Sequence, residues 1–357
     1  MSISMNSKER VVRTFNRQET DRMPILDCLW STTVERWKRE GLPEDVRPED
    51  YFCYDIAMLS PDLSLMLPIE VLEDNDEYTI IKNSYGTIVK NFKHSTSTPA
   101  WLGHTVNSPD DWFKFKNRFK WENSRINPDA FKRQYEKAKR DNKFVVYTGA
   151  ISWDSILQMV GPEALLLGFY DEPEWIHEMF EAALELYISG YESLCKLGYE
   201  FDGGWVYNDM AYKNSLLFSP QIYKEFFFER DRRVCSIFRN QGKPVILHSC
   251  GCIKEIIPLL IQAGYSCLQL LEVKAGMDLL RLQEEFSRDI CFMGGIDASL
   301  LATNDKQHIE GMLKHIIGQA VRNGGYFYHS DHSVPDTVSL ETYKFVLDKV
   351  KEYSTLQ

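Results

Sequence analysis

Two residues of the segment His248-Ser249-Cys250 have the types and the spacing to bind one metal ion. Alternate side chains of an extended strand project to the same side, so the imidazole of His248 and the thiol of Cys250 would face the ion together. Zinc takes imidazole nitrogen and thiolate sulfur as ligands in proteins. The pair therefore predicts a Zn²⁺ site, and Gly251 favours it by letting other backbone approach closely. The alternative is a buried histidine beside a core cysteine.

Other polar and aromatic residues stand at the ends of apolar runs that resemble strands. In an α/β barrel the reacting groups lie at the C-terminal ends of the strands, which makes these positions candidates. We predict acid–base or orienting roles for Asp209, Glu272 and Asp297. We predict substrate contacts for Asp27, Trp153, Tyr207, Asn208, His329 and Asp331. Each polar residue could instead cap a helix or lie in a loop, and the aromatic residues could belong to the core.

Eight strand-like runs are available to position these residues. Six of them alternate with segments of helical period from about residue 144 onward, which is the pattern of βα units in a parallel sheet. The runs span residues 23–30, 53–59, 144–151, 203–210, 244–251, 267–272, 290–297 and 326–333. The predicted fold class is α/β, a (β/α)₈ TIM barrel that forms a single domain over residues 1–357.

Two segments fall outside this alternation. In residues 69–93, two strand-like stretches flank Asn83-Ser-Tyr-Gly86, which predicts a β-hairpin inserted in the N-terminal third, near the barrel mouth. The stretch 107–143 is charged and aromatic and predicts helices that cover the barrel. Ser219 before Pro220, and Ser339 further on, are expected to cap the starts of two later helices.

The formal net charge of −11 argues against binding to nucleic acid or to an anionic membrane, because both carry negative charge. The opening segment is polar where a signal peptide needs an apolar run, and no later stretch approaches the roughly 18 apolar residues of a membrane span. Eight cysteines are scattered through a long chain, so reduced thiols are expected. We expect a cytoplasmic protein that binds neither nucleic acid nor membrane.

Six motifs, in their order along the chain, carry a resemblance to a known family. They are Thr20-Asp-Arg-Met-Pro24, Asn208-Asp-Met-Ala211, Ser219-Pro220, His248-Ser-Cys-Gly251, Gly294-Gly-Ile-Asp297 and Ser330-Asp-His-Ser-Val-Pro335. Within a β/α alternation this set resembles the uroporphyrinogen-decarboxylase superfamily over nearly the whole chain. The resemblance implies a distorted (β/α)₈ barrel with its active site in a deep cleft.

The superfamily contains porphyrinogen decarboxylases and corrinoid- or thiol-linked methyltransferases, and this chain looks closest to the methyltransferase branch. The decarboxylases carry an arginine-rich motif just after the first strand. The matching stretch here, residues 24–31, contains no arginine and offers Asp27 instead. An anionic side chain would repel a substrate that carries many carboxylates.

In the methyltransferases a His-x-Cys pair and a third ligand from the last strand region hold zinc, and the resemblance assigns His248 and Cys250 to the pair. The third ligand of the thiol-specific members is a cysteine, but no cysteine follows Cys291 here. His332 falls closest to that position, and residues that leave the fifth and eighth strands at one rim can converge. We therefore expect His332 to complete the site, with a fourth position open. The competing third ligands are Asp331, Glu272 and His329.

These observations favour a zinc-dependent methyltransferase that moves a methyl group from a small methylated donor, such as a methoxylated aromatic compound, to a corrinoid carrier protein. The corrinoid would then be supplied by the partner protein, and the chain could form an oligomer. Two alternatives stay open. One is a decarboxylase of uroporphyrinogen or a related carboxylated heteroaromatic compound, and the other is a non-catalytic barrel that only docks a corrinoid protein.

Overall fold

A parallel sheet that curls on itself forms the larger part of the fold, seen in a computed structural model that describes residues 4–94 and 97–355. The eleven strands of these residues are β1 (Ile56–Leu59), β2 (Glu70–Asp74), β3 (Tyr78–Lys82), β4 (Ile88–Phe92), β5 (Ala100–Gly103), β6 (Phe144–Ala150), β7 (Gly203–Tyr207), β8 (Val245–His248), β9 (Cys267–Leu271), β10 (Cys291–Gly294) and β11 (Tyr326–Phe327). The large sheet has seven strands in the order β1-β6-β7-β8-β9-β10-β11. Every neighbouring pair in it is parallel.

Helices connect these strands. They are α1 (Ser7–Phe15), α2 (Ser31–Arg39), α3 (Pro48–Tyr51), α4 (Pro109–Phe115), α5 (Pro128–Arg140), α6 (Ser152–Val160), α7 (Pro162–Asp171), α8 (Pro173–Lys196), α9 (Pro220–Ile222), α10 (Phe228–Arg239), α11 (Ile257–Ala263), α12 (Leu279–Phe286), α13 (Ala298–Ala302), α14 (Lys306–Asn323) and α15 (Leu340–Ser354). The hydroxyls of Ser219 and Ser339 cap the starts of α9 and α15, as predicted. Among the described helices, none combines the length and the apolar character needed to cross a membrane.

Seven of the eight predicted runs are strands of the large sheet, so the alternation of strands and helices is confirmed. Strands β9 and β10 are buried along their whole length, because a parallel sheet is covered on both faces and its strands become continuous apolar runs. The stretch 107–143 contains helices α4 and α5, and Trp112 and Phe131 of these helices are buried in the core.

The eighth predicted run, residues 23–30, is not a regular strand but lies between the first and the last strands of the sheet. Ile25 forms an isolated parallel bridge with Tyr328, which follows β11. On the other side, the backbone N–H of Asp55 donates to the carbonyl oxygen of Ile25 over 2.8 Å. The segment therefore joins the two edges of the curled sheet through backbone hydrogen bonds.

The carboxylate of Asp55 fixes this join. It is fully buried and accepts hydrogen bonds from Arg10 Nη1 (2.6 Å), Arg22 Nη1 (2.7 Å) and the backbone N–H of Ile25 (2.7 Å). Asp21 accepts a further bond from Arg10 Nε over 2.7 Å, so two guanidinium groups are balanced by two carboxylates. Because buried charges need partners, this network holds α1 and the 23–30 segment against β1.

A second sheet is antiparallel, with four strands in the order β2-β3-β4-β5. The sequence predicted a hairpin of two strands here, whereas the structure has four. Strands β3 and β4 flank the expected turn, β2 pairs with β3, and β5 pairs with β4. In the turn, the side-chain oxygen of Asn83 accepts the backbone N–H groups of Tyr85 and Thr87, each over 3.0 Å. Strand β2 was missed because it is exposed along its length and has no alternating apolar pattern.

Replacing Asp55 by alanine should lower the free energy of unfolding by about 3–5 kcal/mol, because the buried guanidinium group of Arg10 and the partly buried one of Arg22 lose a partner. Urea unfolding followed by circular dichroism would show a lower midpoint with an unchanged slope. Glu229→Ala is the matched control: Glu229 pairs with Arg232 on the surface, so its loss should cost less than about 1 kcal/mol. An equally small loss in Asp55→Ala would mean that backbone bonds alone hold the 23–30 segment.

Candidate metal centre

Three side chains with metal-binding atoms meet at the C-terminal ends of β7 and β8. The Nε2 atom of His248 lies 3.7 Å from Sγ of Cys250 and 3.5 Å from Oδ1 of Asp209. The three ligand atoms all lie within 4.8 Å of one another, and each residue is partly buried. Within residues 4–94 and 97–355, no other three His, Cys, Asp or Glu side chains come together in this way.

The register of the sheet brings these side chains together. Strands β7 and β8 are parallel and Tyr207 lies opposite His248, so the residues two positions further on, Asp209 and Cys250, are also neighbours. The backbone N–H of Cys250 donates to Oδ1 of Asp209 over 2.7 Å, which fixes the carboxylate beside the thiol. His248 and Cys250 face the same side, as the alternation along a strand requires.

Gly251 permits the turn that follows β8. Its φ of 78° lies in the left-handed region, and a Cβ atom there would come within 2.7 Å of the backbone of Ala211 and Tyr212. The backbone N–H of Cys252 also donates to the carbonyl oxygen of Tyr212 over 2.9 Å. A larger residue at position 251 would therefore push apart the two loops that carry the candidate ligands.

Carboxylates surround the Cys250 thiol. Burial, and then the charges of Asp209 and Glu272, raise the pKa of Cys250, so the thiol keeps its proton when no cation is near. Glu272 Oε2 accepts the backbone N–H of Gly251 over 3.0 Å. Asp154 Oδ1 accepts the backbone N–H of Asp209 over 3.0 Å, and burial together with the Asp209 charge raises the pKa of Asp154. This excess of negative charge would be relieved by a bound cation.

The second ring nitrogen of His248 points away from this cluster. His248 Nδ1 lies 2.5 Å from Oε1 of Gln269, and Nε2 of Gln269 lies 3.2 Å from Nε2 of His329. Gln269 and His329 are both buried, and burial lowers the pKa of His329. His329 is therefore linked to His248 through Gln269, on the side away from Cys250 and Asp209. The substrate contact predicted for His329 stays a prediction.

The side chain of Asp27 is buried, and its carboxylate is bound by other side chains of the protein. One carboxylate oxygen accepts the hydroxyl of Ser330 over 2.5 Å, and the other accepts the hydroxyl of Tyr343 over 3.0 Å. The Nδ1 atom of His329 lies 3.4 Å from the first oxygen. Burial raises the pKa of Asp27, and the neighbouring His329 opposes that shift. Both oxygens thus have protein partners, and the substrate contact predicted for Asp27 stays a prediction.

Asp297 and Asp331 bind backbone groups of the loops around the site. Asp297 Oδ1 accepts the N–H of Ser299 over 2.8 Å and caps helix α13. Asp331 accepts the N–H groups of Val273 (3.0 Å) and Ala298 (2.8 Å). These contacts correspond to the structural alternative that the sequence left open, and the chemical roles predicted for both residues stay predictions.

Three predicted substrate-binding residues lie near the ends of β6 and β7. The ring of Tyr207 packs against His248, with the ring centroids 4.8 Å apart. Trp153 is buried and packs against Phe218 in the core, with centroids 5.6 Å apart. Asn208 is fully buried, and neither atom of its side-chain amide has a hydrogen-bond partner among the residues that the structure describes. Of these three side chains, that of Tyr207 lies against the candidate ligands.

His332 lies outside the cluster. Its side chain is exposed and its ring stacks on Trp30, with the centroids 6.1 Å apart. The structure brings Asp209, and not His332, together with His248 and Cys250. Residues at the common rim of two strands can converge, but a shared rim does not determine where a side chain points. In this structure His332 is therefore not a member of the cluster, and its role as a metal ligand is not supported by the geometry.

Two residues that contact this site, Gln269 and Asp154, are not among those predicted from the sequence. Gln269 is the polar residue inside the apolar run of β9, and a polar side chain buried in a parallel strand needs a partner, which is a signal that could have identified it. Asp154 stands in the first turn of α6, where an acidic residue is an ordinary feature of a helix start, so its position gave no signal.

Solved structures offer a comparison for this fold. A methyltransferase from Methanosarcina mazei is similar with a TM-score of 0.67, at 14% sequence identity, over 98% of this chain and 99% of that chain. The crystal structure of A. niger ochratoxinase gives a TM-score of 0.29, at 11% identity, over 74% of this chain and 76% of that chain. The first value indicates a shared architecture along the whole length, and the second is too low to do so.

Sequence comparison gives the family. No curated protein matches the chain. The family model described as uroporphyrinogen decarboxylase (URO-D) matches residues 95–353, well over half of the chain. The matched range contains β6 to β11 and all three residues of the candidate metal centre. The resemblance carried by the sequence motifs is therefore confirmed, and the chain belongs to the uroporphyrinogen decarboxylase family.

Proposed function

We propose that this protein is a zinc-dependent methyltransferase, which moves a methyl group from a small methylated donor to a corrinoid carried by a partner protein. The observation that carries the proposal is the meeting of Asp209, His248 and Cys250 at the C-terminal ends of two neighbouring strands. The similarity in fold to a methyltransferase over the whole chain supports the methyl-transfer part of the proposal.

The separations of the donor atoms fit Zn²⁺. A nitrogen ligand at ~2.1 Å and a sulfur ligand at ~2.3 Å from a tetrahedral zinc ion are roughly 3.6 Å apart, and a nitrogen and an oxygen ligand are roughly 3.4 Å apart. The corresponding separations here are 3.7 Å for His248 and Cys250, and 3.5 Å for His248 and Asp209. We therefore assign the third position to Asp209 in place of His332. Three protein ligands leave a fourth position for substrate.

The residues around the ligands have complementary tasks. Zinc, when bound, would supply a Lewis acid for the departing heteroatom of the methyl donor. Glu272 Oε2 accepts the Gly251 N–H, which places this carboxylate next to Cys250, and we assign to it the transfer of a proton to the leaving group. The ring of Tyr207 offers an apolar wall against which an aromatic donor can pack.

We infer further that residues 1–357 form a single domain that closes as a (β/α)₈ barrel, with the 23–30 segment in the eighth strand position. The backbone bond that Asp55 donates to Ile25, and those that join Tyr328 to Pro24 and Leu26, support this closure. A corrinoid partner would approach the C-terminal ends of the strands, because the methyl group passes by direct contact between donor and cobalt. The cytoplasmic location and an oligomeric state stay predictions.

The purified protein should bind one Zn²⁺ per chain. His248→Ala, Cys250→Ala and Asp209→Asn should each weaken zinc binding by at least ~100-fold, because losses next to a ligand already cost 10–100-fold. Asp209→Asn keeps an acceptor for the Cys250 N–H and so preserves the turn. Elemental analysis gives the stoichiometry, and competition with a chromophoric chelator gives the affinity.

The matched control for this series is His332→Ala, which removes an exposed imidazole that stacks on Trp30. Its zinc affinity should equal that of the unmodified protein. Zinc retention in Asp209→Asn together with loss in His332→Ala would return the third position to His332. Retention in all four variants would remove the metal centre and the chemistry that depends on it.

Zinc binding should also release about one proton per chain at neutral pH, because ligation requires the thiolate. The raised pKa of Cys250 keeps the thiol protonated until the metal displaces its proton. Calorimetric titration in two buffers with different ionisation enthalpies counts the protons released. Cys250→Ala should release almost none, and the same result with the unmodified protein would mean that Cys250 does not bind the metal.

Zinc-loaded protein should transfer a methyl group from a methoxylated aromatic compound to free cob(I)alamin, and the absorption spectrum follows the formation of methylcobalamin. Cys250→Ala should slow this reaction by orders of magnitude because the Lewis acid is lost, whereas His332→Ala should keep the rate. The donor panel should include methyl ethers and methylamines. Turnover of uroporphyrinogen to coproporphyrinogen, with no methyl transfer from any donor, would replace the proposal by the decarboxylase alternative.

A further inference from the structure

A continuous row of hydrogen bonds runs from His248 into the interior of the sheet. Nδ1 of His248 lies 2.5 Å from Oε1 of Gln269, and Nε2 of Gln269 lies 3.2 Å from Nε2 of His329. Nδ1 of His329 lies 2.6 Å from the carbonyl oxygen of Ser330 and 3.4 Å from Oδ1 of Asp27. The row therefore starts at a candidate metal ligand and ends at two oxygen atoms on the far side.

The last atom of the row determines the direction of every bond in it. The carbonyl oxygen of Ser330 can only accept, so Nδ1 of His329 carries a proton and donates it. In a neutral imidazole the other nitrogen is then an acceptor, so Nε2 of His329 receives a bond from the NH₂ group of Gln269. The amide oxygen of Gln269 therefore faces His248 and accepts from its Nδ1.

From this directionality we propose that Gln269 and His329 are positioning residues that hold His248 as the Nδ1-protonated tautomer, with the lone pair of Nε2 turned toward Cys250 and Asp209. A histidine that binds a metal through one nitrogen commonly donates the other N–H to an outer partner, and that bond fixes both the tautomer and the ring orientation. The use of this lone pair for zinc depends on the proposed function. The tautomer itself is a property of the metal-free chain.

Burial makes the arrangement rigid. Gln269 is 1% exposed and His329 is 0% exposed, so water cannot replace a lost partner. If the amide of Gln269 rotated by half a turn, its oxygen would face the acceptor nitrogen of His329. That contact would be repulsive whichever tautomer His248 adopts. Burial also lowers the pKa of His329, which favours the neutral ring that the row requires.

The tautomer can be measured directly in the metal-free protein. Nitrogen-15 labelling of histidine and long-range proton–nitrogen correlation spectra distinguish the two neutral tautomers, and the His248 signals are identified by their loss in His248→Ala. We expect the Nδ1-protonated form in the unmodified protein. An Nε2-protonated His248, or a rapidly averaging mixture of both forms, would overturn the proposal without any further variant.

Two variants separate the contributions of the positioning residues. Gln269→Leu removes both bonds of the amide, and His329→Leu removes the acceptor that fixes the amide orientation, so each should turn the pure tautomer into a mixture. His329→Gln offers an oxygen to the same NH₂ group and should restore the pure form. His177, which stacks on Phe226 with ring centroids 4.3 Å apart, is the internal control and should keep its signals. A pure His248 tautomer in His329→Leu would remove His329 from the proposal.

Zinc affinity provides the second readout. Gln269→Leu and His329→Leu should each weaken zinc binding by roughly 10–100-fold, the usual effect of losing a partner of a metal-bound histidine. If the unmodified protein shows the expected tautomer but binds no zinc, the proposed function fails and the positioning role stands. If zinc binds with unchanged affinity in both variants and the tautomer is also unchanged, the positioning role fails and the proposed function stands.

Discussion

Polar side chains buried inside the curled sheet must find hydrogen-bond partners within the protein, and this requirement organises the site. The side-chain amide of Gln269 finds its hydrogen-bond partners in the imidazoles of His248 and His329. The ring of His329 in turn finds its partners in that amide and in the carbonyl oxygen of Ser330. Each bond restricts the next residue, so the orientation of His248 depends on a backbone carbonyl at the opposite side of the sheet. The ring of His248 is thus positioned from the interior of the sheet, whereas backbone contacts of the surrounding loops position Asp209 and Cys250.

The same requirement links the site to the join between the sheet edges. The row from His248 ends near Asp27, which belongs to the 23–30 segment, and this segment is held against β1 by the buried carboxylate of Asp55. Two arginines, Arg10 and Arg22, reach that carboxylate from the N-terminal part of the chain. The ion pairs of Asp55 fix the start of the 23–30 segment, and the contact of Asp27 with His329 links this segment to the row from His248. Both interactions therefore help to keep the two sides of the site at a fixed separation.

The proposed ligand set bears on the kind of methyl donor. The thiol-specific methyltransferases are expected from the family resemblance to use a second cysteine, whereas this chain presents the carboxylate of Asp209 beside His248 and Cys250. Both sets bring two negative charges to a divalent ion, so the net charge of the site would be unchanged. A carboxylate oxygen is a harder ligand that donates less electron density than a thiolate. The ion would therefore stay a stronger Lewis acid, which suits donors with poor leaving groups such as methyl ethers.

The sequence by itself determined the seven strands of the large sheet and the His248–Cys250 pair, because apolar runs and the alternation of side chains along a strand are local properties. It did not determine the third member of the cluster. Asp209 joins the pair through the register that sets Tyr207 opposite His248, and register is decided by packing between distant segments. His332 shares the rim, yet its ring stacks on Trp30. Only the tertiary structure could choose between them, because the direction of a side chain depends on neighbours that are remote in the chain.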